Sequence, residues 1–417
     1  MTLNKTSPIL LIIFLFPILV ATVQHGGSTL FALLLLTGLA LGWPMWRSLE
    51  VWEKKILIGF LIFFLLVSLS LFNTENISSG IKKEGRYVLF PLMIPTYLLI
   101  KKLQLETGKI FLFGLIAASI VLFGQALYQI YVLHWSRAIG AYNSLVVGDI
   151  SMLAVILIVC ALITVAQNWL HYLIGVIAIV AALSASAMAG ARGAWILLPI
   201  SLIWFMWIKR KFLGVKLTLL IVLIGIVLSF LAFSIDSIKY RVSTAVLGYQ
   251  AIFDGPEQVS ATESIRVRVE LWRNSITIWK AHPLFGTGIG DFKTELFQSI
   301  KNGESRLTVE LAHAHNIYFD TLATAGLVGL FGMIIFMQIL PFKMFYSFWK
   351  KEHDPWLNFY SLSGMTTIIA FAVFGLTEGW LARKPFVLTY VMCIVVFMSS
   401  IAVVKLRDKE KVINHES

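Results

Sequence analysis

Charge is scarce in this chain. Asp, Glu, Lys and Arg together make up 13% of its 417 residues, against about 25% in ordinary soluble domains. With 58% hydrophobic residues and a mean hydropathy of +0.84, water is excluded as its main solvent. Cysteine is almost absent: Cys160 and Cys393 both lie inside apolar runs. That placement excludes a disulfide framework and a thiolate metal centre. No DxD pair occurs, and the first expected outer loop, Gln24-His-Gly-Gly27, has no carboxylate to hold a divalent metal. Metal-dependent chemistry on a lipid-linked sugar is therefore disfavoured, and no metal is expected. The glycine-rich run His282-Pro-Leu-Phe-Gly-Thr-Gly-Ile-Gly-Asp-Phe292 lacks a preceding strand and a Walker lysine, so it reads as a tight turn and not as a nucleotide loop. No cofactor is expected. A net charge of +12 would suggest nucleic acid in a soluble protein. In this chain its distribution reports orientation instead, and no nucleic-acid partner is expected.

What the sequence has in abundance is long apolar runs. A bilayer span takes roughly 20 apolar residues. Such runs fall at residues 8–23, 28–46, 54–72, 87–100, 110–132, 148–166, 170–187, 194–208, 214–235, 317–340, 357–376 and 386–404. The first lacks a small-residue cleavage site and is followed at once by a second, so it reads as a retained helix. Residues 170–208 are nearly twice one span and must fold back, with the hairpin at residues 186–194. The fold class is thus all-α and polytopic, with about twelve transmembrane helices. Residues 1–235 carry spans one to nine, 236–316 a large outer loop, 317–404 spans ten to twelve, and 405–417 a tail.

Twelve spans place both termini on one side. Alternate loops on that side hold Arg47, Lys54, Lys55, Lys101, Lys102, Lys109, Lys209, Arg210, Lys211, Lys216, Lys343, Lys350 and Lys351. By the positive-inside rule that side is cytoplasmic. The opposite loops are poorer in basic residues, and their exceptions are Lys82, Lys83, Arg86, Arg137, Arg192, Arg383 and Lys384.

The outer loop contains one amphipathic helix. Ile265, Val269, Trp272, Ile276 and Trp279 recur at spacings of four and three, giving an apolar stripe whose tryptophans suit a membrane interface. Arg266, Glu270 and Arg273 share an adjacent face, with Arg268 on the other flank. Each arginine reads either as part of a solvated or lipid-phosphate face or as a substrate contact.

Among the candidates for chemistry, Arg192 lies in Met188-Ala-Gly-Ala-Arg-Gly-Ala-Trp195 at the outer hairpin tip. It is either a snorkelling arginine or an anion site that small neighbours leave open. His313-Ala-His-Asn316 opens span ten. By helical phase Gly326 and Gly329 would share the face of His315, and the helix N-terminus would favour a neutral ring able to accept a proton. His313, if helical, would point about 200° away from His315. It reads as an interfacial histidine or a substrate contact, and no third metal ligand stands at a usual spacing. Lys82, Lys83 and Arg86 bind either lipid headgroups or phosphates of a large anionic substrate, with Arg137 a weaker instance of the same choice. Asp149, at the start of span six, has no evident partner in the sequence.

His315-Asn316, nine residues, Gly326, two residues, Gly329 is similar to the motif opening the helix after the large periplasmic loop in bacterial O-antigen ligases. Ala191-Arg-Gly-Ala-Trp195 and residues 266–292 also resemble features of that family. The motifs are shared with O-antigen polymerases and O-linked oligosaccharyltransferases. The resemblance implies a GT-C-like inner-membrane glycosyltransferase. It would move an O-antigen glycan from undecaprenyl pyrophosphate to the lipid A core at the periplasmic face, with inversion and without metal or nucleotide. On that reading His315 is the general base, and Arg192 and Arg266 bind the pyrophosphate. Lys82, Lys83, Arg86, Arg137, Arg268, Arg273, His313 and Asn316 are then candidate substrate contacts. A transporter of lipid-linked sugar is the rival from another class, but it would place charges near the midplane or show inverted repeats.

Overall fold

The computed structural model describes residues 7–209, 263–349 and 354–416. The expected ninth span and the first part of the outer loop, through residue 262, lie outside the described residues, as do Lys350 and Lys351. Among the described residues every regular element is helical. In chain order these are α1 (Ser7–Thr22), α2 (Gly26–Leu41), α3 (Val51–Ser68), α4 (Ile77–Tyr87), α5 (Leu89–Lys102), α6 (Thr107–Leu127), α7 (Ser144–Thr164), α8 (Trp169–Ala189) and α9 (Leu197–Lys209). They continue with α10 (Glu263–Ala281), α11 (Phe292–Lys301), α12 (Ile317–Gly332), α13 (Leu340–Trp349), α14 (Pro355–Phe374) and α15 (Lys384–Glu416).

Seven helical stretches are long and apolar enough to cross a membrane: Val51–Asn73, Thr107–Val132, Ser144–Thr164, Trp169–Ala189, Ile317–Trp349, Pro355–Phe374 and Lys384–Arg407. Three shorter apolar helices cover Pro8–Thr22, Gly26–Leu41 and Arg192–Ile208. The protein is an all-α polytopic membrane protein. The expected fourth span corresponds to α5, whose 14 residues rise about 21 Å at 1.5 Å per residue, short of the hydrocarbon core. Between α8 and α9 the chain turns at Gly190 (φ 68) and runs through a 3-10 turn over Arg192–Ile196.

α15 is the centre of the bundle. Phe386, Tyr390, Ile394 and Phe397 are fully enclosed, and 94% of its spanning window is buried. Because lipid is as apolar as leucine, such packing rests on close contact and interhelical hydrogen bonds more than on expulsion of water. Ser400 Oγ accepts the Gly108 N–H at 2.8 Å, and the Thr107 and Ser399 hydroxyls meet at 3.3 Å, joining α6 to α15. Such bonds are worth about 0.6 kcal/mol each in membrane proteins. At the basic end of the bundle Lys101 of α5 pairs with the buried Glu53 of α3 at 2.6 Å, and Tyr97 donates to the same carboxylate. Buried charges there are matched, as burial requires.

The outer loop is more ordered than a simple connection. α10 is helical as the stripe suggests, but its buried side is rotated by about one residue. Leu271, Asn274, Ser275 and Ile278 are enclosed, and Leu271 and Ile278 join Phe292, Leu296, Leu307, Ala314 and Ala323 in a second apolar core. Trp272 is no interfacial anchor: it stacks on Phe319 with centroids 5.4 Å apart and donates Nε1–H to the Ala314 carbonyl at 3.2 Å. Glu270, expected on a polar face, is buried and accepts the Arg306 backbone N–H at 3.1 Å. The cause is α12, with α11 beside it: together they give α10 a protein surface to cover in place of a bilayer.

α12 is broken at Gly326, which holds φ 64 and ψ −163 inside an otherwise helical run. The glycine loop after α10 docks into this break. Thr287 and Gly288 N–H groups donate to the Ala323 and Thr324 carbonyls at 3.0 Å, while Leu327 and Val328 donate to Pro283 and Leu284 at 3.0 and 3.1 Å. The loop therefore satisfies the backbone groups that the break frees. It is more than a tight turn.

Candidate functional site

α12 opens with an N-cap, and that cap sets the site. The Asn316 Oδ1 accepts N–H groups of Tyr318 and Phe319 at 2.9 and 3.2 Å, while its Nδ2 donates to the Leu376 carbonyl at 3.0 Å. The Ile317 N–H donates to the Gly375 carbonyl at 2.8 Å. Asn316 is 5% exposed, with both ends of its amide engaged. These bonds hold residues 313–316 against the connection between α14 and α15.

His315 precedes the cap and has φ 52. Two expectations from helical phase fail for this reason. His315 does not share a helical face with Gly326 and Gly329, because neither it nor Gly326 is helical. Nor does His313 point away: the two imidazole centroids are 4.2 Å apart at 62°. The His315 amide also donates to His313 Nδ1 at 3.3 Å. His313 in turn lies over Gly379, where an added Cβ would stand 3.0 Å from its Nδ1.

The carboxylate that completes this cluster is Glu378, not anticipated as a site residue. Its side chain is 2% exposed, and its Oε2 is 3.8 Å from His315 Nδ1. Both of those facing atoms are buried without a hydrogen-bond partner. The other oxygen, Oε1, accepts the Arg383 Nε–H at 3.2 Å. Burial opposes charge on Glu378, but the hydrogen-bonding capacity of His315, then Arg383 and His313, outweigh it and hold the carboxyl down at about 2. Burial lowers the His313 pKa, with Asp320 and Glu378 pulling the other way. The expectation that no third metal ligand is at hand also fails, since ligand atoms of His313, His315 and Glu378 lie within 4.8 Å of one another. Sequence spacing missed the set because Glu378 arrives from a connection more than sixty positions along the chain.

The surroundings are densely charged. α4 is a short helix of its own, capped by Asn76 Oδ1 accepting from the Ser79 N–H at 3.0 Å. Asp291 in the glycine loop accepts the Glu75 and Asn76 N–H groups at 2.7 and 3.0 Å. α4 turns Lys83 and Arg86 inward and leaves Lys82 exposed. Lys83 Nζ donates to the Ala312 carbonyl at 3.3 Å, and burial lowers its pKa against the attraction of Asp320. Arg86 feels both Arg383 and Asp320. Glu84, hydrogen-bonded by Ser68, is raised by burial. Asp320 accepts the Ala314 N–H at 3.0 Å, so it fixes the histidine loop as well as contributing charge.

The hairpin tip reaches the same place. A Cβ on Gly193 would meet Thr377, next to Glu378, and one on Gly148 would meet Ala191. Arg192 is thus delivered beside the 375–379 connection and is exposed there. Asp149, unplaced by the sequence, is buried on α7 within electrostatic reach of Glu378 and Arg383. Arg137 is exposed and lies 3.7 Å from the position of a Cβ on Gly190. Arg266 is exposed at the start of α10, Arg268 is half-buried, and Arg273 sits 3.9 Å from the buried Glu270. The structure therefore gathers Lys83, Arg86, Arg192, His313, His315 and Asn316 around Glu378 and Arg383. The Trp272 to Ala314 bond ties α10 to the histidine loop.

Chemically, a buried carboxylate facing an imidazole nitrogen inside a ring of cations can orient a base and hold a polyanion. Residues 177–334 match the family model described as O-antigen ligase. That stretch includes the hairpin tip, α10, the glycine loop and the start of α12. A Haemophilus influenzae protein, described as an uncharacterized protein, is 25% identical over 404 residues, covering 94% of this chain and 99% of its own length.

Proposed function

We propose that this protein is an O-antigen ligase, transferring O-antigen polysaccharide from undecaprenyl pyrophosphate to the lipid A-core oligosaccharide at the periplasmic face of the inner membrane. The observation that carries the reading is the His315 and Glu378 pair, 3.8 Å apart, within a basin that also holds Lys83, Arg86 and Arg383. The excess of basic residues in the alternate loops supports placing that basin outside and both termini in the cytoplasm.

A pyrophosphate is a good leaving group, so the protein has two tasks: to hold its charge and to take one proton from the acceptor. Across 3.8 Å the Glu378 carboxylate favours the tautomer of His315 that carries its proton on Nδ1, which leaves the Nε2 lone pair free. The acceptor hydroxyl oxygen attacks the anomeric carbon from the face opposite the leaving group. Its proton passes to Nε2 as the bond to the pyrophosphate oxygen breaks, and the configuration inverts without a metal in the step. Arg192 and Arg266 bind the pyrophosphate, with Lys83, Arg86 and Arg383 drawing the phosphorylated substrate in. Lys82, Arg137, Arg268 and Arg273 are outlying contacts, and Asn316 positions the histidine loop.

The test is ligation with purified protein, lipid-linked glycan and lipid A-core. His315→Ala should lower the rate by about 10² to 10⁴-fold, and near-normal ligation would refute its role. In the host, deletion should remove the lipopolysaccharide ladder while long undecaprenyl-linked chains persist. Persistence of single repeat units alone would make the protein a polymerase, and an unchanged ladder would point to protein glycosylation or transport.

A further inference from the structure

We propose that His313, His315 and Glu378 form a binding site for a zinc-class divalent cation, and that the cation, once bound, switches off His315. Only this second part rests on the function proposed above.

Two imidazoles and one carboxylate with a fourth direction open is a donor set suited to zinc. Here the ligand atoms lie within 4.8 Å of one another. Zinc bonds of about 2.1 Å put tetrahedral ligands about 3.4 Å apart, so the set must draw in by roughly an ångström. Both histidines stand on the loop ahead of the α12 cap, and Glu378 stands on the connection that faces it. The independent sign of a missing ligand is the pair of unsatisfied atoms. Glu378 Oε2, on a side chain 2% exposed, and His315 Nδ1 are buried and face each other at 3.8 Å, too far for a hydrogen bond. Buried polar atoms left in this way call for a proton, a water or an ion between them. Glu378 can serve because Arg383 uses only its other oxygen. Asp320 and Asp149 act on the same groups and offset Arg383, so an arriving cation meets carboxylates as well as cations.

The consequence for chemistry follows from the imidazole itself. A cation on Nδ1 takes the lone pair there, so the ring proton must reside on Nε2. Nε2 then donates and cannot accept the hydroxyl proton. The cation is an inhibitor, displaced by chelators.

Binding is measured directly on full-length protein in detergent, by Zn²⁺ titration with metal analysis and by the visible spectrum of Co²⁺. One equivalent should bind, and His313→Gln and Glu378→Gln should each weaken it at least tenfold and abolish the Co²⁺ bands. Unchanged stoichiometry and affinity in both variants would mean adventitious binding at exposed histidines such as His25, His134 and His282, and would overturn the site. Where ligation is measurable, the same Zn²⁺ concentration should inhibit it and EDTA restore it; uninhibited ligation at full occupancy would overturn the switch. Variant-sensitive binding in a protein that never ligates would uphold the site and count against the ligase reading alone.

Discussion

The side-chain amide of Asn316 bonds to the Leu376 carbonyl at 3.0 Å, and this contact sets the separation between the histidine loop and the carboxylate that faces it. The same side chain caps α12. Asn316→Ala should therefore cost about 0.5–2 kcal/mol as a lost cap. It should also lower ligation more than that loss explains, because His315 moves relative to Glu378. Asn316→Ser, which keeps a capping oxygen but loses the donor to Leu376, separates the two effects: stability should recover in large part and activity should not. Equal recovery of both would show that the cap alone matters.

Glu378→Gln keeps the shape of the side chain and removes its charge. His315 loses the partner that selects its Nδ1–H tautomer, and Arg383 loses its ion pair. The turnover number should fall by about one to three orders of magnitude with little change in the Michaelis constant. A variant whose only change was in substrate affinity would place Glu378 in binding instead.

The pH dependence has a definite sign. His313 has its pKa lowered by burial, so the folded protein binds fewer protons there than the unfolded chain. This group's stabilisation is whole above about pH 6.5 and is lost as pH falls below that value. Glu378, held down at about 2, stays ionised through the same range; its own stabilisation, present above the usual carboxylate value, is lost only as pH falls from about 4.5 toward 2. Unfolding followed from pH 8 to 5 should show a decline that His313→Gln flattens. An unaltered slope in that variant would assign the decline elsewhere.

Lys82 and Lys83 are neighbours with different surroundings. Lys83 turns inward to the Ala312 carbonyl, and Lys82 is exposed. Lys83→Ala should raise the apparent Michaelis constant for the donor about tenfold or more, while Lys82→Ala should change it less than threefold. Equal effects would imply a diffuse attraction and not a positioned contact.

Gly326 is the position where a single methyl should do most harm. Its φ of 64 with ψ −163 is a conformation open to glycine alone, and a Cβ would press into the Leu284 carbonyl. Gly326→Ala should destabilise by at least 1–3 kcal/mol and loosen the glycine loop. Limited proteolysis within residues 282–291 would detect that loosening, and full protection would contradict it.

The helices were legible because apolar runs of about the thickness of a bilayer leave few alternatives. The amphipathic α10 was legible from its period, but the exact buried stripe was not, since α12 and α11 supply partners that no local pattern announces. At the site, His315 and Arg192 were legible as isolated polar residues among small and apolar neighbours. Arg383 was seen only as a basic exception in an outer loop, and Glu378 was not singled out. What makes them a site is a contact between two connections, fixed by Asn316, and periodicity carries no information about that. His313 was misjudged because helical phase was extended through His315, whose left-handed backbone reverses the direction of the chain.

The deep burial of α15 also bears on how the molecule is made. It follows every other described helix in the sequence, yet it fills the space that α5, α6 and α14 surround. The element they pack around is the last of the described helices to be made. Glu378 and Arg383, which lead into α15, reach His315 only at that late moment. A ribosome stalled before residue 378 would leave a chain that holds His313 and His315 but lacks the carboxylate that faces them.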